Sequence, residues 1–293
     1  MSKIITKEEY LKKVKTLTIA RNLSPRSIKA YHDMAEKFLN WCENNHFKPK
    51  NISYDNLQEY VVYLLTIAKL SPKSANSHIS FVRSFFVYIL RRPIDRYTLP
   101  SCKVDTKPRE ILSKNEVVKF INALPTIKAK AIVTLLYSCG LRVSEATNLK
   151  YSDIPRERMT VKIESSKNRA GRYVPLSKEA LNILTEYWRL SGKPRNYLFP
   201  GAKPNTHITT PTVSEYIRKA KKTLNWDSRQ ITTHTFRHCI GTHMYESGID
   251  LLTIQKFLGH KSIASTTVYI TFTNNSKLFV NPFDTVGGGV SIG

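Results

Sequence analysis

Apolar residues return every three to four positions along almost the whole chain, as in Ile28, Tyr31, Met34, Phe38 and Trp41. That spacing lays one apolar stripe along a helix. It commits most of the 293 residues to helices and leaves little sequence for a large sheet. Two helix starts share a local design. Leu23-Ser24-Pro25-Arg26-Ser27 and Leu70-Ser71-Pro72-Lys73-Ser74 each offer a serine N-cap followed by proline at the first helical position, where its missing N–H costs nothing. Further helices are expected over residues 55–70 and 72–92, the second carrying Ile79, Val82, Phe85, Phe86 and Tyr88.

The period changes in one place. Residues 159–165 and 173–176 alternate apolar and polar and are joined through Asn168, Arg169 and Gly171, which predicts a small β-hairpin inside a helical domain. Residues 91–108 contain Pro93, Pro100 and Pro108 with Lys103 and Lys107 and little periodicity, and read as a linker. A new helix start follows at Ser113, where Glu116 completes a capping box. The expected organisation is a basic helical bundle over 1–100, a linker over 101–108, a second domain over 109–276, and a tail over 277–293. The tail carries Gly287, Gly288 and Gly289 and is expected to be mobile unless it docks on a partner.

Charge narrows the partners. Forty-six Lys and Arg against 22 Asp and Glu give a formal charge of +24, which attracts a polyanion: DNA, RNA or an anionic membrane. The longest apolar stretch, around 131–141, is interrupted by Thr134 and Ser138 and is too short to span a bilayer. Lys3, Lys7 and Glu8 in the first residues do not resemble a secretory signal, so a cytoplasmic address is expected. Cys42, Cys102, Cys139 and Cys239 lie far apart without zinc-site spacing and read as free thiols. His234 and His238, four apart on one helix, lack the further ligand that a metal site needs, except for His243. No metal and no cofactor is expected.

Four separated segments carry the chemistry. They are Cys139-Gly140-Leu141-Arg142-Val143-Ser144-Glu145, His234-Thr235-Phe236-Arg237-His238, Leu258-Gly259-His260 and Val268-Tyr269-Ile270. Together they resemble the motif set of the tyrosine recombinases, the integrase and Xer-type family. The likeness is strong after Arg109 and weaker before it. Position by position, the resemblance makes Arg142 the first catalytic arginine, His234 and Arg237 the His-x-x-Arg pair, and His260 the third-motif histidine. Tyr269, nine positions after His260, is the implied nucleophile. Ser166-Lys167-Asn168-Arg169-Ala170-Gly171-Arg172-Tyr173-Val174-Pro175-Leu176 resembles the hairpin that carries the family's catalytic lysine, which makes Lys167 the implied general acid.

These residue types suit cleavage of a phosphodiester. Arginine forks stay charged and bind phosphate oxygens bidentately, so Arg142 and Arg237 fit the charge that develops on the non-bridging oxygens. A tyrosine hydroxyl with an ordinary pKa near 10 must lose its proton as it attacks, with His234 as the expected assistant. Conserving the bond energy in a phosphotyrosine removes any need for ATP, and the resemblance implies no metal. Ser144 and Glu145 either orient Arg142 or cap the helix after it. His238 and His243 are read as structural.

The resemblance also implies a mainly α fold. Its parts are an N-terminal SAM-like core-binding bundle and an α-rich catalytic domain with a small β-hairpin, closing as a C-shaped clamp on double-stranded DNA. It implies a homotetramer on paired recombination sites, with Leu278, Phe279, Val280 and Phe283 able to anchor the tail in a neighbouring protomer; a tail folded on its own core is the alternative. Arg26, Lys29, Lys73, Ser74 and Arg83 are the expected DNA contacts of the first domain. The expected function is site-specific recombination, as an integrase, a transposon recombinase or an Xer-type resolvase. Relaxation of DNA as by a type IB topoisomerase, and DNA binding by a regulator with a dead site, are the competing readings.

Overall fold

A computed structural model describes residues 5–105, 109–164, 171–193 and 196–272. The chain divides into two compact units, Met1–Lys107 and Pro108–Gly293. The expectation of a mainly helical fold with one small hairpin holds. No described helix is long and apolar enough to cross a membrane.

In the first unit, α1 (Lys7–Ala20), α2 (Pro25–Asn44), α3 (Tyr54–Thr66) and α4 (Pro72–Phe85) follow in order, the last continuing as a π-helical turn over Phe86–Leu90. Ser24 and Ser71 cap α2 and α4 through the backbone N–H groups of Ser27 and Ser74, each with proline in the first turn. The stripe foreseen on α2 is buried at Phe38 and Trp41 and meets Tyr60, Phe85 and Phe86 in an aromatic core. The single helix expected over 72–92 differs at its end: Arg91 turns left-handed at φ 58° and stops the π-helical turn.

The proline-rich stretch after it is not loose at its start. Ile94 and Leu99 are buried in the bundle core, and Asn76 exchanges hydrogen bonds with Cys102 N–H and C=O at 2.7 and 2.9 Å. Prolines remove periodicity without removing apolar side chains, so a segment that reads as linker can still pack.

The second unit contains α5 (Lys114–Asn122), α6 (Ile127–Ser138), α7 (Val143–Asn148), β1 (Thr160–Ile163), β2 (Arg172–Pro175), α8 (Lys178–Leu190), α9 (Thr210–Thr223), α10 (Thr233–Glu246) and α11 (Leu251–Leu258). Two 3₁₀ turns, Ile263–Ser265 and Thr267–Phe272, follow. The Ser113–Glu116 capping box forms as expected. β1 and β2 pair antiparallel, with Val161 opposite Val174 facing the core. α6 is the central helix, its Ile132, Val133, Leu135 and Leu136 all buried. All four cysteines are free thiols.

The segment entering this unit is stitched to α10. Leu112 N–H donates to Cys239 Sγ at 3.2 Å, and Leu112 C=O meets His243 Nε2 at 3.0 Å. The other nitrogen of His243 meets Tyr137 Oη at 2.8 Å, so this histidine serves the fold.

Candidate active site

α10 brings the first pair together. Positions three apart share a helix face, so His234 and Arg237, in its opening turn, present one surface, with His238 and Gly241 a turn further on. Arg237 is 3% exposed, and its two terminal nitrogens donate to Gly140 C=O and Leu258 C=O. Burial, with Arg142 nearby, pushes its guanidinium down to about 9, still cationic at neutral pH.

Arg142 stands at the N-terminus of α7, where Glu145 serves both purposes left open by the sequence. Glu145 Oε2 accepts the Arg142 backbone N–H at 2.9 Å as a cap, and Oε1 accepts from Arg142 Nη1 at 2.9 Å. The other face of the same carboxylate takes a fork from Arg172, with Nη1 to Oε1 at 3.1 Å and Nη2 to Oε2 at 3.0 Å. Burial acts to raise the Glu145 carboxyl, but the Arg172 hydrogen bonds, the Arg142 N–H and the two positive charges hold it at about 2.

Tyr269 comes from the second 3₁₀ turn and is wholly buried against α10. Its ring fills the space that Gly241 leaves: a Cβ there would stand 2.5 Å from Tyr269 Cζ, so only glycine admits the ring in this position. His260 stacks on this ring with centroids 6.3 Å apart and 18° between planes, and its Nδ1 lies 2.9 Å from Thr266 Oγ1. The Tyr269 hydroxyl is buried and has no hydrogen-bond partner among the described residues. Burial raises its pKa, while Arg237, Arg109 and Arg142 pull the other way.

His234, His238 and His243 on α10 are all held below the ordinary histidine value, each chiefly by withdrawal of the ring from water. For His234 the cations Arg237, Arg142 and Arg109 add to this; for His238 the value falls to about 4. Neutral imidazoles at pH 7 are able to accept a proton. The unfolded chain takes up protons near 6.5 and the folded chain only lower, so stability is lost as pH falls from 6.5 toward 4. The DNA-free protein is expected to melt at lower temperature at pH 5 than at pH 7, with proton uptake on unfolding seen by calorimetry in two buffers. A flat profile contradicts the buried neutral state.

Five of the six sequence-derived residues, Arg142, His234, Arg237, His260 and Tyr269, therefore belong to one unit: His260 stacks on Tyr269, the charges of Arg237 and Arg142 act on it, and His234 feels the same two arginines. The sixth, Lys167, lies outside the described residues, as does the tail over 277–293. Among the described residues no group of three His, Cys, Asp or Glu could hold a metal ion. Two participants escaped sequence reasoning. Arg172 sits inside the hairpin segment, but its partner Glu145 is remote in sequence; Arg109 lies 2.9 Å from His238 Nε2 through Nη1. No sequence signal pairs either with its partner.

In the first unit, Arg26 and Lys29 on α2 and Lys73 and Ser74 on α4 are exposed. Ser74 Oγ lies 3.0 Å from Ser71 Oγ. Arg83 is engaged within the unit, with Nε on Leu99 C=O at 3.0 Å and Nη2 on Ser101 Oγ at 3.3 Å.

Residues 110–275 match the phage integrase family, and residues 10–96 match the phage integrase N-terminal SAM-like domain. A Sinorhizobium fredii protein provisionally named integrase/recombinase y4qK is 38% identical over 228 residues, 78% of this chain and 73% of that one. A tyrosine recombinase of Pseudothermotoga lettingae is 30% identical over 266 residues, 88% of this chain and 91% of its own. The solved XerH site-specific recombinase bound to its palindromic difH substrate shares the fold, with a TM-score of 0.73 at 21% identity, covering 92% of this chain and 82% of that one. On the family match over more than half its length and on these relatives, the chain belongs to the phage integrase family of tyrosine recombinases.

Proposed function

We propose that this chain performs site-specific recombination of double-stranded DNA. Tyr269 Oη attacks the scissile phosphorus, the bond to the 5′ oxygen breaks, and a 3′-phosphotyrosine forms. Attack by the 5′ hydroxyl of a partner strand then reverses the step and frees Tyr269. The observation that carries this reading is a buried phenol with His260 stacked on its ring and the charges of Arg237 and Arg142 acting on it, surroundings suited to a phosphate rather than to a core tyrosine.

In this reading Arg142 and Arg237 neutralise the non-bridging oxygens, His260 donates a hydrogen bond to one of them, and His234 receives the phenol proton. Lys167 protonates the departing oxygen. Energy stays in the phosphotyrosine ester, so the reaction proceeds without ATP, and arginines supply the charge that a metal would otherwise supply. The XerH complex and the Tn1549 transposon integrase complexes are structures with DNA, which supports a duplex as the partner here. Exchange between two duplexes needs four cleavages, which four protomers on paired sites would provide. Exposed Arg26, Lys29, Lys73 and Ser74 are the proposed phosphate contacts of the first unit, with affinity falling as salt rises.

The test begins with genomic fragments of the organism that encodes the protein. Protein is mixed with them, denatured in detergent, and any covalently attached DNA is sequenced. A nicked duplex built on the recovered sequence then traps the intermediate, because the short cleaved strand diffuses away. A stable adduct on that duplex is expected. Absence of any adduct overturns the cleavage reading, and relaxation of supercoiled plasmid lacking the site overturns site-specificity in favour of topoisomerase-like action.

A further inference from the structure

Arg172 lies outside the six residues proposed for the chemistry, yet it belongs to one of the segments that supply them and meets two more. It opens β2, five positions after Lys167 in sequence. Its fork closes on both oxygens of Glu145. Its Nε donates to Phe257 C=O at 3.3 Å, at the end of α11. The left-handed Gly259 that ends α11 leaves room for this side chain, since a Cβ there would stand 3.0 to 3.1 Å from Arg172 Cδ, Nε and Cζ. The next residue is His260. Arg172 and Glu145 are 16% and 11% exposed, so water screens their pairing little.

Charge makes the arrangement more than a brace. Glu145 bridges two arginines, and each of its oxygens takes one N–H from Arg142 and one from Arg172. Two cations and one anion leave the cluster with one net positive charge. Without Arg172, Glu145 and Arg142 form a neutral pair. The guanidinium that should face a phosphate is then drawn toward its own carboxylate.

We propose that Arg172 is a positioning residue for strand cleavage: by sharing Glu145 with Arg142, it fixes that guanidinium and leaves its positive charge for the scissile phosphate. The inference rests on the recombinase reading above. Misplacement of a reacting group by about 1 Å costs on the order of a hundredfold in rate. Arg172→Ala is therefore expected to lower the rate of adduct formation, at saturating nicked duplex, by about tenfold to a hundredfold, with the dissociation constant for that duplex changed less than about threefold. Adding Glu145→Gln to Arg172→Ala removes the carboxylate that neutralises Arg142 and is expected to recover part of the rate. Arg172→Lys keeps the charge without the fork and is expected to fall between wild type and Arg172→Ala.

All variants are assayed beside wild type and checked by melting. Wild-type rates in Arg172→Ala, or a double variant slower than Arg172→Ala, overturn the inference. If Arg172→Ala does not fold, Arg172→Lys decides: a rate equal to wild type overturns the proposal, and a reduced rate with unchanged DNA affinity supports it. Failure of wild type itself to form an adduct is a failure of the recombinase reading instead, and is seen in the same experiment.

Discussion

Tyr269→Phe abolishes the covalent adduct while leaving the melting temperature unchanged or raised. Loss of the adduct follows from chemistry, because phenylalanine offers phosphorus no oxygen. The stability half follows from the unpartnered hydroxyl. Burying a polar group without a hydrogen bond costs roughly 1–3 kcal/mol, and the Tyr269 hydroxyl is buried without one among the described residues. The ring, which carries the packing against Gly241 and His260, is retained in phenylalanine. Gel analysis of the trapped adduct and a thermal melt of the DNA-free variant check the two halves. An adduct that persists in Tyr269→Phe removes Tyr269 as the nucleophile, and a melting temperature lowered by several degrees shows that the hydroxyl has a partner.

Arg142→Ala is expected to slow cleavage by about two to three orders of magnitude, the usual consequence of removing one donor aimed at a developing oxyanion. Folding should survive, because Glu145 keeps the Arg172 fork on both oxygens when Arg142 is gone. Duplex affinity should fall by no more than a single phosphate contact provides. Filter binding and single-turnover trapping on the same nicked duplex separate the two. Binding and cleavage lost in parallel would assign Arg142 to DNA affinity instead of the transition state.

Much of the local structure was legible because it is written in neighbouring residues. The Ser-Pro starts of α2 and α4, the Ser113–Glu116 box and the paired strands each rest on groups a few positions apart. The five described candidate site residues came from a different source, the resemblance of their motifs and motif order to those of tyrosine recombinases. What escaped depends on distance in sequence. Arg172 meets Glu145 and Phe257, Arg109 meets His238, and Leu112 meets Cys239 and His243, all through folding that no local pattern encodes. The packing of Ile94 and Leu99 was hidden by prolines that break periodicity without reducing the apolar character of these residues.

The two proposed phosphate-binding arginines are held in contrasting ways. Arg142 shares a carboxylate, whereas among the described residues Arg237 forms no ion pair and donates instead to the carbonyls of Leu258, at the end of α11, and of Gly140, just beyond α6. A helix C-terminus carries roughly half a negative charge spread over its last peptide groups. The end of α11 meets Arg237 directly and the Gly140 carbonyl adds to it, so peptide dipoles keep this cation in place inside the protein where a counter-ion would have cancelled it. Its monopole is left undivided for an anion arriving from outside.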